Sequence, residues 1–334
     1  MSDRLVDAYD LVIFDLDGVI YLIDKAIPGA AEVVVELRSA GTSVAYATNN
    51  ASRRAADVAA LLSGMGVPAT AAEVLTSAGA AAALLAERLP AGAPVLVVGA
   101  EALRAEVRDV GLTPVQTLAD KPAAVVQGFG PDVGWQILAE AALSVRAGAT
   151  WVATNTDRTL PSPRGPLPGN GSLVAVLRTA LNREPDVVVG KPEPALFTTA
   201  ASLSHAQRPL VVGDRLDTDI EGAVGAGMDS LLVLTGVSGP AELLSAPASR
   251  RPTYVAADLK GLLRPDDTAR IPLEDIGELG GWRLTREDKA VRLAGSGDPV
   301  DALRLLTGPA WDGAKIHAGS EAARELLTGW GMPA

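Results

Sequence analysis

The chain has 334 residues, 48% of them hydrophobic, enough for two or three domains with packed cores. Lys and Arg number 29 against 40 Asp and Glu, a net charge of -11 with no basic stretch, so nucleic acid is not an expected partner. Cysteine is absent and only His205 and His317 supply imidazoles, which excludes thiolate chemistry and disulfides and disfavours a zinc site.

The N-terminal stretch "DLVIFDLDGVIYL" (10 to 22) reads as a strand buried on both faces, Leu11 to Phe14, that ends in Asp15 and Asp17, with Gly18 permitting a tight loop. Asp3, Asp7 and Asp10 interrupt any N-terminal signal, and no apolar run reaches the roughly 18 residues of a membrane span. A cytoplasmic protein without membrane contact is the expectation. "AAEVVVELRSAG" (30 to 41) has a helical rhythm closing at Gly41, "TSVAYATNN" (42 to 50) reads as the next strand, and the helix "SRRAADVAALLSGMG" has Ser52 as its expected N-cap. From about Ser77 to Glu184 runs a smaller unit, with an Ala-rich helix and the strands "APVLVVG", "PAAVVQGF" and "ATWVAT". The Pro- and Gly-rich "NTDRTLPSPRGPLPGNG" (155 to 171) then precedes the helix "SLVAVLRTAL"; a loop of that length is more often functional than a mere connector.

The first pattern resumes with "DVVVGKPEP" (186 to 194) and "RPLVVGDRLDTDI" (208 to 220), each a strand running into Gly and a charged residue. After "GLLRPDD" (261 to 267) come short strand candidates and helices near 299 to 307 and 320 to 328, with Trp282, Trp311 and Trp330 suggesting a small separate core. The fold class expected is α/β. A doubly wound, Rossmann-like parallel sheet from 1–76 and 186–262 is interrupted by an inserted α/β cap, 77–185, and followed by a small C-terminal α+β domain, 263–334, of unknown role.

Four polar elements each follow an apolar strand: Asp15 with Asp17, Thr48 with Asn49, Lys191, and Asp214 with Asp219. In a parallel sheet such positions lie along one edge, so these segments are expected to converge. Their types suit phosphoryl transfer. Asp15, Asp214 and the backbone carbonyl of Asp17 are the expected ligands of Mg2+, which takes hard oxygen donors. Lys191 and the Thr48 hydroxyl suit the phosphoryl oxygens. Asp15 would attack phosphorus to form an aspartyl-phosphate, and Asp17 would protonate the leaving alcohol and then activate water.

"DLDGVIY", "ATNN", "GKPEP" and "VGDRLDTDI" resemble, in order and spacing, the four motifs of the haloacid dehalogenase superfamily of phosphatases. The insertion is similar to the large α/β cap of its NagD-like, nitrophenylphosphatase branch, as is the stretch "VATNTDRTLPSPRGPLPGNGSLVA". The resemblance covers roughly residues 8 to 260 and implies that Asp15 is the nucleophile, Asp17 the acid/base, Thr48 and Lys191 phosphate binders, with Asn49 beside them. It also implies Asp214 as metal ligand and Asp219 as a support behind it. Within the branch, the chain with its extension most resembles glycerol 3-phosphate phosphatases, whose extension has been likened to part of an acetyltransferase fold. The extension lacks the Gly- and Arg-rich loop that would hold an acyl-CoA pyrophosphate, which favours an interface or scaffold role.

The expected partner is a small phosphorylated metabolite, glycerol 3-phosphate first among them. Asn155, Asp157, Arg158 and Arg164 are cap candidates for its hydroxyls or phosphate, with a polar surface loop as the competing reading. A homodimer is open, since caps in this branch often pair. A phosphotransferase or mutase on the same core, and a phosphate-binding scaffold without catalysis, remain alternatives.

Overall fold

Leu11–Phe14 is a strand whose four side chains are all buried in the computed structural model, which describes residues 4–23, 25–272 and 276–333. The chain divides into one unit formed by Met1–Leu22, Ala26–Val44 and Ser204–Ala334, and another formed by Ile23–Lys25 and Ala45–Leu203. In the first unit Leu11–Phe14 pairs in parallel with Pro209–Gly213, this with Asp229–Val233, and this with Tyr254–Ala256. These short apolar runs have no polar face, as a parallel sheet covered on both sides requires. The helix Ala30–Ser39 buries Ala30, Val33, Val34 and Leu37, one stripe at helical spacing. Its chain reversal uses Gly41 at φ 86°, a left-handed conformation that glycine adopts without a Cβ clash.

The C-terminal segment forms a sheet in the order Glu278–Leu279, Trp282–Glu287, Ala290–Gly295, Lys315–Ala318, the last pair parallel. Helices Pro299–Trp311 and Glu321–Gly329 pack with it. Among the described residues, the core around these tryptophans is continuous with the preceding fold, not separate as expected. One contiguous apolar cluster joins Trp282, Val291, Leu293, Leu303 and Leu306 to Leu216, Ile220, Leu232, Leu243 and Leu244 of the parallel-sheet region. A sheet with a single apolar face must cover it, and here the surface of the preceding fold contributes to the covering.

In the second unit Tyr46, Ala47 and Thr48, the end of the strand Ser43–Thr48, pair in parallel with Val74–Thr76, and the unit carries a five-stranded parallel sheet. Its order is Val187–Val188, Thr150–Ala153, Ala124–Gln127, Pro94–Val98, Thr113–Val115. Helices Ser77–Arg88 and Glu101–Asp109 contribute to the apolar cluster containing Val95, Val97 and Val126; Trp135–Arg146 and Asn170–Leu181 contribute to the one containing Leu96, Val125 and Trp151.

Three expectations change. Val187 and Val188, read with the core strands, pair instead with Val152 and Ala153 at the edge of the five-stranded sheet. The helix expected to start behind Ser52 begins at Ala55, because the Ser52 amide and hydroxyl both bind the Asn50 Oδ1, at 2.8 and 2.7 Å, leaving Arg54 as N-cap. The long 155–171 stretch contains a small hairpin, Thr159–Leu160 against Leu167–Pro168. Among the described residues no helix is long and apolar enough to cross a membrane.

Trp151 is fully buried and its Nε1 donates to Gln127 Oε1 at 3.0 Å. Trp151→Ala is therefore expected to lower the unfolding free energy by about 3–5 kcal/mol, measured by urea denaturation.

Candidate active site

The amide of Asp15 donates to Val212 O at 2.9 Å, carrying the parallel pairing one residue past Phe14 and setting Asp15 at the C-terminal end of the sheet. A tight loop follows, in which the Gly18 amide donates to Tyr21 O at 2.8 Å and Asp17 bridges to Tyr21. Asp214 stands at the end of Pro209–Gly213 and Asp219 on the π-type turn Leu216–Ile220; both are fully buried. Asp15, Asp214 and Asp219 each offer a carboxylate oxygen, and the three atoms lie within 4.8 Å of one another. The Asp17 carboxylate is outside this group, while Asp219, expected behind the ligands, supplies one of its oxygens.

Backbone holds these acids at close range. A Cβ on Gly18, at φ 86°, would lie 2.5 Å from Asp214 Oδ2, one on Gly236 1.9 Å from the same atom, and one on Gly213 2.1 Å from Asp219 Cβ. The Asp219 Oδ2 accepts from the Arg215 amide at 3.1 Å, and Asp214 Oδ2 from the Val237 amide at 2.7 Å. Buried carboxylates this close repel strongly in a medium less polarisable than water. A small divalent cation that takes oxygen ligands offsets that repulsion, so the donor set fits Mg2+. Beside the group, burial pushes the Asp217 carboxyl up, but hydrogen bonds and charge from Arg215 outweigh it and leave the carboxyl below the usual range. With its folded pKa depressed, this pair stabilises the fold at neutral pH and loses that contribution as pH falls.

In the second unit Asn49 is the organising residue. Its Oδ1 accepts from the Lys191 amide at 2.8 Å, and its Nδ2 donates to Lys191 O at 3.0 Å and to Asp157 Oδ1 and Oδ2 at 3.2 and 3.1 Å. Gly190 is what permits this approach, since a Cβ there would lie 2.4 Å from Asn49 Oδ1. The Asn49 carbonyl accepts from Ser77 Oγ and Asn155 Nδ2, both at 2.6 Å. Lys191, 3% exposed, donates through its ammonium to Ala47 O at 3.2 Å, and the Thr48 hydroxyl accepts from the Asn50 amide at 3.1 Å. Asn49, Lys191, Asn155 and Asp157 are thus gathered in one network, with Thr48 beside it in the chain.

Arg158 and Arg164 are exposed on the hairpin segment. Its base is tied by the Gly169 amide to Arg158 O at 2.9 Å and the Gly171 amide to Asp157 O at 2.8 Å. Added Cβ atoms at Gly169 and Gly171 would come within 2.5 Å of Asp157 O and 2.1 Å of Thr156 O. Two participants escaped sequence reasoning. Asn170 donates to Asn155 O at 2.7 Å from within the "GNG" read as loop, and the Thr235–Ser238 turn contacts Asp214 without carrying a charged residue. Glycines beside those positions were the available signal.

A parallel α/β sheet ending in this acidic group defines a hydrolase class, and sequence comparison agrees. The haloacid dehalogenase-like hydrolase profile matches residues 12–113 and a second, HAD-hydrolase-like profile residues 188–262: the chain belongs to the haloacid dehalogenase-like hydrolases. It is 43% identical to D-glycerol 3-phosphate phosphatase of Mycobacterium tuberculosis over 98% of this chain and 96% of that relative. An acid sugar phosphatase of Staphylococcus saprophyticus is 36% identical over 77% of this chain and 97% of its own. The crystal structure of glycerol phosphate phosphatase from Mycobacterium tuberculosis in complex with magnesium matches at a TM-score of 0.90 and 44% identity, over 99% of each chain. The 4-nitrophenylphosphatase of Thermotoga maritima matches at 0.72 and 31% identity, over 78% of this chain and 98% of that one. Residues 279–332 match a GCN5-related N-acetyltransferase-like profile.

Asn49→Ala removes paired bonds to both sides of the Lys191 peptide and to a carboxylate. It is expected to cost about 2–3 kcal/mol of stability in urea unfolding, with faster amide exchange at Lys191.

Proposed function

We propose that the protein is a Mg2+-dependent phosphatase that hydrolyses a small phosphorylated metabolite, glycerol 3-phosphate first among the candidates, through an aspartyl-phosphate on Asp15. The observation that carries this reading is the group formed by Asp15, Asp214 and Asp219, set in a backbone cradle that three added Cβ atoms would fill. The near full-length similarity to D-glycerol 3-phosphate phosphatase supports the choice of substrate.

Asp15 and Asp214, with the backbone carbonyl of Asp17, would hold the cation. Asp219 helps to fix its position, one of its oxygens being tied to the Arg215 amide. When bound, Mg2+ neutralises charge between an anionic nucleophile and a phosphate dianion. The Asp15 carboxylate attacks phosphorus and the bond to the leaving oxygen breaks. Asp17, half-buried and outside the acidic group, gives that oxygen its proton, then takes one from the water that hydrolyses the acyl phosphate. Lys191 and the Thr48 hydroxyl serve the phosphoryl oxygens, and Asn49 holds the Lys191 peptide in place. The Asn155 amide is held by Asn49 O, so the exposed residues Arg158 and Arg164 are the stronger candidates among the cap residues for contact with substrate. The segments 1–76 and 186–262 act as catalytic core and 77–185 as cap in this reading, apart from Val187–Val188, which belong to the sheet of the cap, in a cytoplasmic enzyme able to form a homodimer.

Asp15→Asn is expected to abolish phosphate release from glycerol 3-phosphate with the circular dichroism spectrum unchanged; turnover equal to the parent would overturn the nucleophile assignment. Lys191→Met should lower kcat by about 100- to 1000-fold. Chelation by EDTA should stop hydrolysis and added Mg2+ restore it, with phosphate release assayed in the absence of any acceptor alcohol.

A further inference from the structure

We infer that the C-terminal segment is a positioning element for the metal site, acting on Asp214 through the Pro240–Leu244 helix and the turn before it; this rests on the phosphatase reading above. The chain that leaves Asp229–Val233 wraps Asp214 on its way to that helix. Thr235 Oγ1 donates to Gly18 O at 2.6 Å, the Val237 amide to Asp214 Oδ2 at 2.7 Å, and the Ser238 amide to Asp214 O at 3.0 Å. Ser238, 3% exposed, accepts from the Leu216 amide at 3.0 Å through its Oγ, tying the turn to the segment that carries Asp219. The carboxylate of Asp214 is therefore oriented by peptide groups of a turn with no charge and no regular structure of its own. Such a turn holds its geometry only as well as its two ends are held.

One end is the parallel sheet; the other is Pro240–Leu244, which rests on the C-terminal segment. Leu243 and Leu244 are buried in the cluster that contains Leu303 and Leu306. Trp311 Nε1 donates to Leu243 O at 2.9 Å, a second donor on a carbonyl that also accepts from the Ala246 amide at 3.1 Å, and so ties the last turn of the helix to the C-terminal segment. Arg251 closes the joint: its guanidinium lies 4.7 Å from the Trp311 ring and donates to Trp311 O at 3.1 Å and to Ala246 O at 3.2 Å. Leu216 and Ile220, which bracket Asp219, lie in the same cluster. Arg304, 4% exposed, anchors the supporting helix, donating to Arg270 O and Asp301 Oδ1, each at 2.9 Å, and to Asp267 O. The segment thus reaches both acidic elements without contributing an acid to them.

Trp311→Phe in the full chain removes the Nε1 donor and keeps most of the ring packing. It is expected to raise the Mg2+ concentration that half-saturates p-nitrophenyl phosphate hydrolysis about fivefold, the scale of one lost net hydrogen bond, with kcat at saturating Mg2+ changed by less than about twofold. The Mg2+-induced rise in melting temperature, measured without substrate, should need the same higher concentration. Trp151→Phe deletes a fully buried indole bond in the other unit and should destabilise the fold while leaving Mg2+ half-saturation at the parent value. Gly236→Ala, which acts on the turn directly, should weaken the Mg2+-induced thermal shift more than Trp311→Phe does. A Trp311→Phe protein with lowered urea stability and parental Mg2+ response would overturn the inference. A parent protein with no Mg2+ response in either assay would overturn the phosphatase reading first, and the inference with it.

Discussion

Crowding three carboxylates into a buried space is the constraint around which this structure is organised. Like charges at such range push apart, and only backbone can hold them without adding bulk. Gly18, Gly213 and Gly236 each give up the volume of a side chain so that Asp214 or Asp219 can lie against the main chain. Peptide amides at Arg215 and Val237 meet the oxygens, so the acids are oriented by groups that cannot rotate away. The parallel sheet matters because it delivers Asp15 and Asp214 from adjacent strand ends, a placement no local segment could achieve.

The Asn49 network solves a different problem with the same economy. A lysine buried to this degree is costly unless its charge is met. Its backbone is held on both sides by one amide side chain, which fixes where the ammonium starts from. Asn155 and Asn170 extend the ties from Asn49 toward the five-stranded sheet, so the network links the loop after Ser43–Thr48 to the frame of the insertion.

Much of this was legible in the sequence, for identifiable reasons. Leu11–Phe14, Pro94–Val98 and Pro209–Gly213 are unbroken apolar runs bounded by Gly or Asp, a pattern only buried strands satisfy well. Asp15, Asp214 and Lys191 could be singled out because each follows such a run. Ser52 misled because a side chain that can cap a helix can equally close a turn on its neighbour, and Asn50 offered the nearer partner. Val187–Val188 was misplaced because two residues carry no information about which sheet will take them. The Thr235–Ser238 turn escaped notice since its contribution comes from peptide groups, which sequence composition does not mark. The tryptophans of the extension signalled burial correctly but not against what, because apolar area is indifferent to its partner.

The hairpin within 155–171 has its own consequence. Gly169 and Gly171 weld its base to the strand-end residues Thr156 to Arg158, while the residues from 161 to 166 bear on nothing that this weld depends on. A tip mounted this way is a replaceable fitting. Natural drift or deliberate grafting can lengthen, shorten or recharge it without moving the glycines and carbonyls on which it is mounted.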